Sequence, residues 1–116
     1  MRVLALGFIC ALAIASEVEA GPTGKQLYKA CQSPGGIYHG GFAGGFCNGY
    51  IAGVAGTLVV SGQICLPHRA EYGQVFTVTI KYLQQHPEAQ SNFGATAVVA
   101  ALRAAFPCPG AASPRK

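Results

Sequence analysis

Apolar residues recur at helical spacing in four segments of this chain, and glycine, proline or serine separates the segments. In the longest apolar segment, residues 46–60, they stand three or four positions apart, which is typical of one buried helix face. These positions are Cys47, Tyr50, Ile51, Val54 and Leu58. The pattern predicts a central packed helix that ends at Ser61-Gly62.

The same spacing predicts three further helices. They extend from an N-cap at Thr23 to about Cys31, from about 69–71 to Gln85, and from about Ser91 to Ala105. Residues 75–80 are rich in β-branched side chains and also fit a strand, but the stripe continues through Tyr82-Leu83 and favours a helix. The predicted fold is all-α, a small disulfide-stapled bundle of four to five helices.

Two glycines in the central helix, Gly49 and Gly53, lie one turn apart on a common face. Each costs roughly 1 kcal/mol relative to alanine, so we expect another backbone, in this chain or in a second one, to approach them closely. Such faces also occur in membranes. However, the apolar run read from Phe46 ends within about 12 residues, too few to span roughly 30 Å of hydrocarbon.

Residues 35–45 are rich in glycine and are predicted to form a surface loop. A P-loop is excluded because the stretch has no Gly-Lys-Ser/Thr sequence and no preceding strand. The alternative is a recognition loop, since exposed aromatic side chains among glycines are typical of contact surfaces.

The first twenty residues have the pattern of a cleavable signal peptide: a basic Arg2, an apolar run at 3–15, and a small residue, Ala20, at the cut. We therefore expect an exported, periplasmic protein that is not membrane-bound after cleavage. Residues 21–116 would form a single domain, with an ordered core at about 24–108 and a disordered tail at 109–116.

Charge after signal cleavage is moderately basic. Removing Arg2, Glu17 and Glu19 leaves seven basic and two acidic residues, a formal charge of +5. These basic residues do not cluster with aromatic ones, which argues against nucleic-acid binding. We expect the positive charge to favour binding to an acidic protein partner.

Four cysteines remain once Cys10 leaves with the signal, an even number that suits an oxidising compartment. Three connectivities are possible. Short loops favour antiparallel neighbouring helices, and these bring together the pairs Cys31–Cys47 and Cys65–Cys108. Zinc is the competing interpretation at Cys65-Leu66-Pro67-His68, but no second close-spaced ligand pair accompanies it. No metal or other cofactor is predicted.

Catalytic groups are scarce in the chain. Its mature acids are Glu71 and Glu88, and its histidines are His39, His68 and His86. An enzyme needs a nucleophile with a base, paired carboxylates or a metal, and the cysteines are better used as disulfides. We therefore expect a protein that is not an enzyme.

A set of short motifs resembles the Rap/Tai immunity-protein family over about Leu27 to Cys108. The motifs are Cys31, the run Cys47-Asn48-Gly49-Tyr50-Ile51-Ala52-Gly53-Val54, Cys65-Leu66-Pro67, Tyr82-Leu83-Gln84-Gln85-His86-Pro87-Glu88, and Ala101-Leu102-Arg103-Ala104-Ala105-Phe106-Pro107-Cys108. Members are small exported helical proteins. Those studied protect bacteria from type VI secretion effectors that cut peptidoglycan as amidases. One departure is Gly56, at about the place where members often carry an acidic residue.

The resemblance implies a protein that binds an amidase effector, occludes its catalytic cleft, and forms a homodimer. The candidate partner contacts fall in two sets, Tyr38, His39 and Phe42 in the first loop, and His68, Arg69 and Tyr72 near the third helix. The alternative functions are a periplasmic acid-stress chaperone and an orphan structural or interaction domain. The chaperone ranks lower because the mature chain has only two acidic residues to respond to low pH.

Overall fold

A computed structural model of the chain describes residues 21–32 and 41–110, and these form an all-α fold. Its elements are α1 (Gly24–Cys31), α2 (Gly41–Val60), α3 (Tyr72–Gln85), a short 3-10 helix (Pro87–Ser91) and α4 (Gly94–Ala105). Within the described residues the β-structure is a single isolated bridge between Thr23 and Phe93. The predicted fold class is confirmed. Residues 1–20 and 111–116, to which the signal peptide and most of the tail were assigned, lie outside the described part.

A capping box starts α1 at the residue that the sequence predicts. The Thr23 hydroxyl oxygen accepts a hydrogen bond from the Gln26 N–H at 3.2 Å, and the Gln26 side-chain oxygen accepts one from the Thr23 N–H at 2.9 Å. Two backbone donors that a helix start leaves free are thereby satisfied. The helix ends at Cys31, as predicted.

The central helix, α2, begins at Gly41, five residues before the predicted start. The loop prediction is therefore wrong for residues 41–45. Glycine propensity alone favours a loop here, but Phe42, Phe46 and Tyr50 stand four residues apart and their rings lie 6.4 and 5.7 Å from one another in sequence order. Such i,i+4 aromatic pairs stabilise a helix. Gly44 also points into the core one turn before Cys47, so packing extends the helix backwards.

The third helix, α3, is helical through the segment that also fits a strand. Val75, Phe76 and Leu83 are almost fully buried, as the stripe predicts. Thr79 is buried beside them and donates its hydroxyl hydrogen to the Val75 carbonyl at 2.8 Å. That bond removes the cost of burying an unpaired hydroxyl.

The break after α3 is longer than the sequence predicts. The His86 ring stacks on Tyr82 with centroids 4.0 Å apart, and Pro87 then starts the 3-10 helix at a position where its missing N–H is no loss. Because this helix continues to Ser91, α4 begins at Gly94 and not at Ser91. Its end at Ala105 is as predicted.

One apolar core joins all four α-helices. Its fully buried side chains come from each of them and include Leu27, Ile51, Phe76, Leu83, Val98 and Leu102. Two disulfides reinforce it, Cys31–Cys47 between α1 and α2, and Cys65–Cys108 between the α2–α3 connector and the end of α4. These are the pairs that antiparallel neighbours favour.

Candidate protein-interaction site

Two opposite faces of α2 have different surroundings. The inner face packs into the core through Gly44, Cys47, Ile51, Ala55 and Leu58. The outer face carries four glycines at a spacing of three or four residues between two large apolar side chains. We call this outer stripe the glycine face, and it consists of Phe42, Gly45, Gly49, Gly53, Gly56 and Val60.

Nothing in the described chain covers the glycine face. A Cβ atom added at Gly45, Gly49, Gly53 or Gly56 would meet no atom within 4 Å. Phe42 and Val60, at the two ends, are 88% and 90% exposed. Within the described residues no other backbone approaches Gly49 or Gly53, so the expectation of a closely packed intrachain neighbour is wrong and an approach between chains remains.

No Asp, Glu, Lys or Arg occurs anywhere in α2. A helix that is apolar all round is normally buried on all sides, yet only 28% of its most apolar stretch is buried here. Among residues 21–32 and 41–110, an uncharged surface of this length is therefore left open.

The length of α2 corrects a second expectation. Its 20 residues are long and apolar enough to span a membrane. The expectation that the apolar segment is too short to span a membrane is therefore wrong. However, a membrane span does not explain the inner face, which is bonded to α1 by a disulfide and packed against α1, α3 and α4. The inner face has the environment of a core helix.

The connector between α2 and α3 presents two of the predicted contact residues. The Ala70 N–H donates to the Pro67 carbonyl at 2.9 Å, which closes a turn with His68 and Arg69 at its two central positions. Both side chains are exposed. The turn is anchored nearby, because Ile64 is buried and the Cys65 N–H donates to the Phe106 carbonyl at 3.0 Å.

Phe42 and Arg69, one residue from each predicted contact set, do not lie together on a single chain. Phe42 stands at the first turn of α2, whereas Arg69 belongs to the connector that follows its last turn. Residues 42 and 60 are separated by about 27 Å along the helix, given a rise of roughly 1.5 Å per residue. Tyr38 and His39 lie outside the described residues, as does the side chain of Tyr72.

Two surface grooves among the described residues follow α3. One of about 680 Å³ is lined by Thr77, Ile80, Lys81, Gln84 and Gln85. The other, of about 580 Å³, lies between the start of α3 and the end of α4 and is lined by Glu71, Gly73, Gln74, Thr77, Val78, Ala105 and Phe106. Across residues 21–32 and 41–110, no three His, Cys, Asp or Glu side chains come together as a metal site would require.

Sequence reasoning found half of the glycine face. It identified Gly49, Gly53 and the aromatic Phe42, but missed Gly45, Gly56 and Val60. The missing signal was available in the spacing, because Gly45 and Gly56 continue the same stripe by one turn in each direction. The mistaken helix start at Phe46 explains why Gly45 was missed. Gly56 and Val60 lay inside the predicted helix and were not assigned to its glycine-bearing face.

Comparison with known sequences and structures identifies the family of the chain. The sequence model of the Rap1a immunity proteins matches residues 23–108, which is most of the chain. Comparison with curated proteins and with solved structures gave no significant match. The matched region extends from the N-cap of α1 to the cysteine that follows α4, so it includes both disulfides and the glycine face. The chain therefore belongs to the Rap1a immunity protein family.

Proposed function

We propose that this protein is a periplasmic immunity protein that binds a type VI secretion effector, a peptidoglycan amidase, and neutralises it. The observation that carries the proposal is the family match over residues 23–108. It agrees with a chain whose open surfaces suit docking better than catalysis. In this proposal the protein is not itself an enzyme and needs no cofactor.

Neutralisation would work by stoichiometric occlusion. An immunity protein has to exclude the cell-wall peptide from the effector's catalytic cleft, and an exposed turn on a rigid base is suited to entering a cleft. The turn at His68 and Arg69 meets this description, since a disulfide and the buried Ile64 hold its base. Arg69 would supply a positive charge for an acidic partner surface.

A homodimer is the second part of the proposal, and the glycine face is its interface. In an antiparallel pair related by a two-fold axis, Gly49 lies opposite Gly53 of the partner subunit, and Phe42 lies opposite Val60 of the partner subunit. The smallest residues then stand at the centre, where crossing helices come closest. The largest stand at the ends, where the helices diverge and leave room for them. The face is therefore complementary to itself in both shape and lack of charge.

The same pairing would bring together Phe42 and Arg69, which lie apart on one chain. The first turn of α2 in one subunit would lie beside the last turn of α2, and hence the connector, of the other. Phe42 and the turn that carries Arg69 would then flank one another across the dimer. A partner binding there would contact both subunits.

Effector binding is tested by recovery from periplasmic extract. The oxidised protein, residues 21–116, is immobilised and its partners are identified by mass spectrometry. We expect a peptidoglycan amidase in stoichiometric amount, and a loss of about tenfold in its affinity with Arg69→Glu, which reverses an interface charge. Tyr38→Ala is expected to weaken binding in the same way. Lys81→Glu on the exposed face of α3 is the charge-matched control and should bind normally.

Other outcomes of the same experiment would replace the proposal. Unchanged affinity in both Arg69→Glu and Tyr38→Ala would remove these loops from the interface. Recovery of many unrelated proteins, more of them at acid pH, would favour the chaperone alternative. Recovery of nothing would favour an orphan interaction domain.

The dimer is tested by sedimentation equilibrium. We expect the wild-type protein to associate, and the double variant Gly49→Leu/Gly53→Leu to sediment as a folded monomer, because leucine prevents the close approach of two backbones. Ala104→Leu, at an exposed position of α4, is the matched control and should still associate. A monomeric wild-type protein at all concentrations would contradict the dimer, but not the binding of an effector.

A further inference from the structure

The two disulfides differ sharply in how far solvent can reach them. Cys31 is 6% exposed and Cys47 is fully buried, and both belong to the apolar core. Cys65 is exposed and Cys108 is half-buried, and neither belongs to that core. Thiol–disulfide exchange requires a thiolate to reach a sulfur atom from the side opposite the leaving sulfur, so access decides which bond reacts.

The exposed bond also supports a different part of the fold. Cys31–Cys47 joins α1 to the inner face of α2, whereas Cys65–Cys108 closes a loop of 43 residues between the connector and the segment after α4. Ile64 and Phe106, on the two sides of the second bond, are themselves buried. The Arg103 side chain also donates a hydrogen bond to the Gln63 side-chain oxygen. The helices therefore have contacts that hold them without it.

The Cys65–Cys108 disulfide restrains the turn at Pro67–Ala70. Between Cys65 and the start of α3 every residue from Cys65 to Arg69 is exposed, and Ala70 is half-buried. The backbone bond within the turn, from the Ala70 N–H to the Pro67 carbonyl, is local. Local turns with few buried contacts open at low free energy.

We propose that Cys65–Cys108 is a redox-sensitive disulfide, which a dithiol reductant reduces while Cys31–Cys47 stays oxidised. Its reduction increases the mobility of the turn that carries His68 and Arg69. The consequence for effector binding rests on the proposed function. The opening of the bond does not.

The chemistry is a two-electron exchange with a dithiol. A thiolate of the reductant attacks the sulfur of Cys65, the more exposed of the two residues. A mixed disulfide forms, and the S–S bond breaks with Cys108 leaving as a thiolate that takes up a proton. The second thiol of the reductant loses its proton and attacks its own sulfur in the mixed disulfide. Cys65 is released as a thiolate and protonated, and the reductant becomes a disulfide. Two electrons and two protons have moved from the dithiol to the protein.

The experiment is a timed reduction of the oxidised protein with dithiothreitol, quenched with N-ethylmaleimide and mapped by peptide mass spectrometry. We expect an intermediate in which Cys65 and Cys108 carry the label and Cys31–Cys47 is intact. Its formation should be at least about tenfold faster than labelling of Cys31 and Cys47. The intermediate should keep its helical circular dichroism, and hydrogen exchange should quicken at 65–70 but not in α1 or α2.

Labelling of all four cysteines in one step, or of Cys31 and Cys47 first, would overturn the proposal. The variant Cys65→Ser/Cys108→Ser gives a second measurement, because it cannot form this disulfide. It should show the same faster exchange at 65–70, and protection equal to that of the oxidised wild type would also overturn the proposal. No effector takes part in either measurement, so their failure is separate from a failure of the immunity function.

Discussion

The two faces of α2 are built from one continuous helix, but only one of them is explained by the chain itself. The inner face buries Cys47, Ile51 and Leu58 against the other helices. The outer face shows four glycines to solvent between Phe42 and Val60. Each exposed helix glycine costs roughly 1 kcal/mol relative to alanine, and total stability is only about 5–15 kcal/mol.

The difference teaches that the glycines of the outer face make no packing contact with the rest of the described chain. The contrast with Gly24 in α1 makes this clear. A Cβ at Gly24 would come within 2.6 Å of the Ala89 carbonyl oxygen, so that glycine is required by its own fold. The glycines of the outer face have no such neighbour in the described part of the chain. The proposed dimer would offset their cost, because another chain would then approach them closely.

The largest expected effect comes from the inner face. Ile51→Ala should lower the free energy of unfolding by about 2–5 kcal/mol, because it leaves a cavity in a well-packed core. Urea denaturation followed by circular dichroism measures this. Val60→Ala on the outer face of the same helix is the control and should change stability by less than about 0.5 kcal/mol when the protein is dilute. Equal losses in both variants would show that the faces are not different.

The next effect distinguishes the two kinds of glycine. Gly24→Ala should lower the free energy of unfolding by about 1–3 kcal/mol, since the added methyl group would clash with the Ala89 carbonyl oxygen and the Gln90 Cα at 2.9 Å. The shift in the thermal midpoint of the oxidised protein measures it. An unchanged thermal midpoint would mean that the 3-10 helix shifts to accommodate the methyl group and does not fix the position of α1.

The smallest effect has the opposite sign. Gly53→Ala should raise the free energy of unfolding of the dilute monomer by about 0.4–1 kcal/mol, because alanine costs less backbone entropy and its Cβ meets nothing. The same substitution should weaken association at high concentration. Denaturation at two protein concentrations separates these effects. A loss of stability at low concentration would contradict an open glycine face.

Most of the fold could be predicted from the sequence because its signals are local. Thr23 with Gln26 is a capping box, the apolar stripes of α3 and α4 identify their buried sides, and Phe106-Pro107 marks the end of α4. The start of α2 could not be predicted in this way. Glycine at 41, 44 and 45 lowers the local helix propensity, and the helix forms there because of a core contact at Gly44 and the aromatic stack from Phe42.

The site was harder to predict than the fold for a different reason. Spacing shows that Gly49 and Gly53 share a face, but it cannot show whether that face is covered, since coverage depends on how distant helices pack. The sequence also placed Phe42 and Arg69 in separate loops without their distance. Only the length and direction of α2 reveal that they lie near opposite ends of this helix.

The central claim, that this protein neutralises an effector by occluding it, is tested most directly by titration of activity. The amidase recovered from periplasmic extract is mixed with increasing amounts of the oxidised protein, and the release of peptidoglycan fragments is measured. We expect hydrolysis to fall in proportion to added protein and to cease at one protomer per enzyme. Full hydrolysis by an amidase saturated with bound protein would contradict the account.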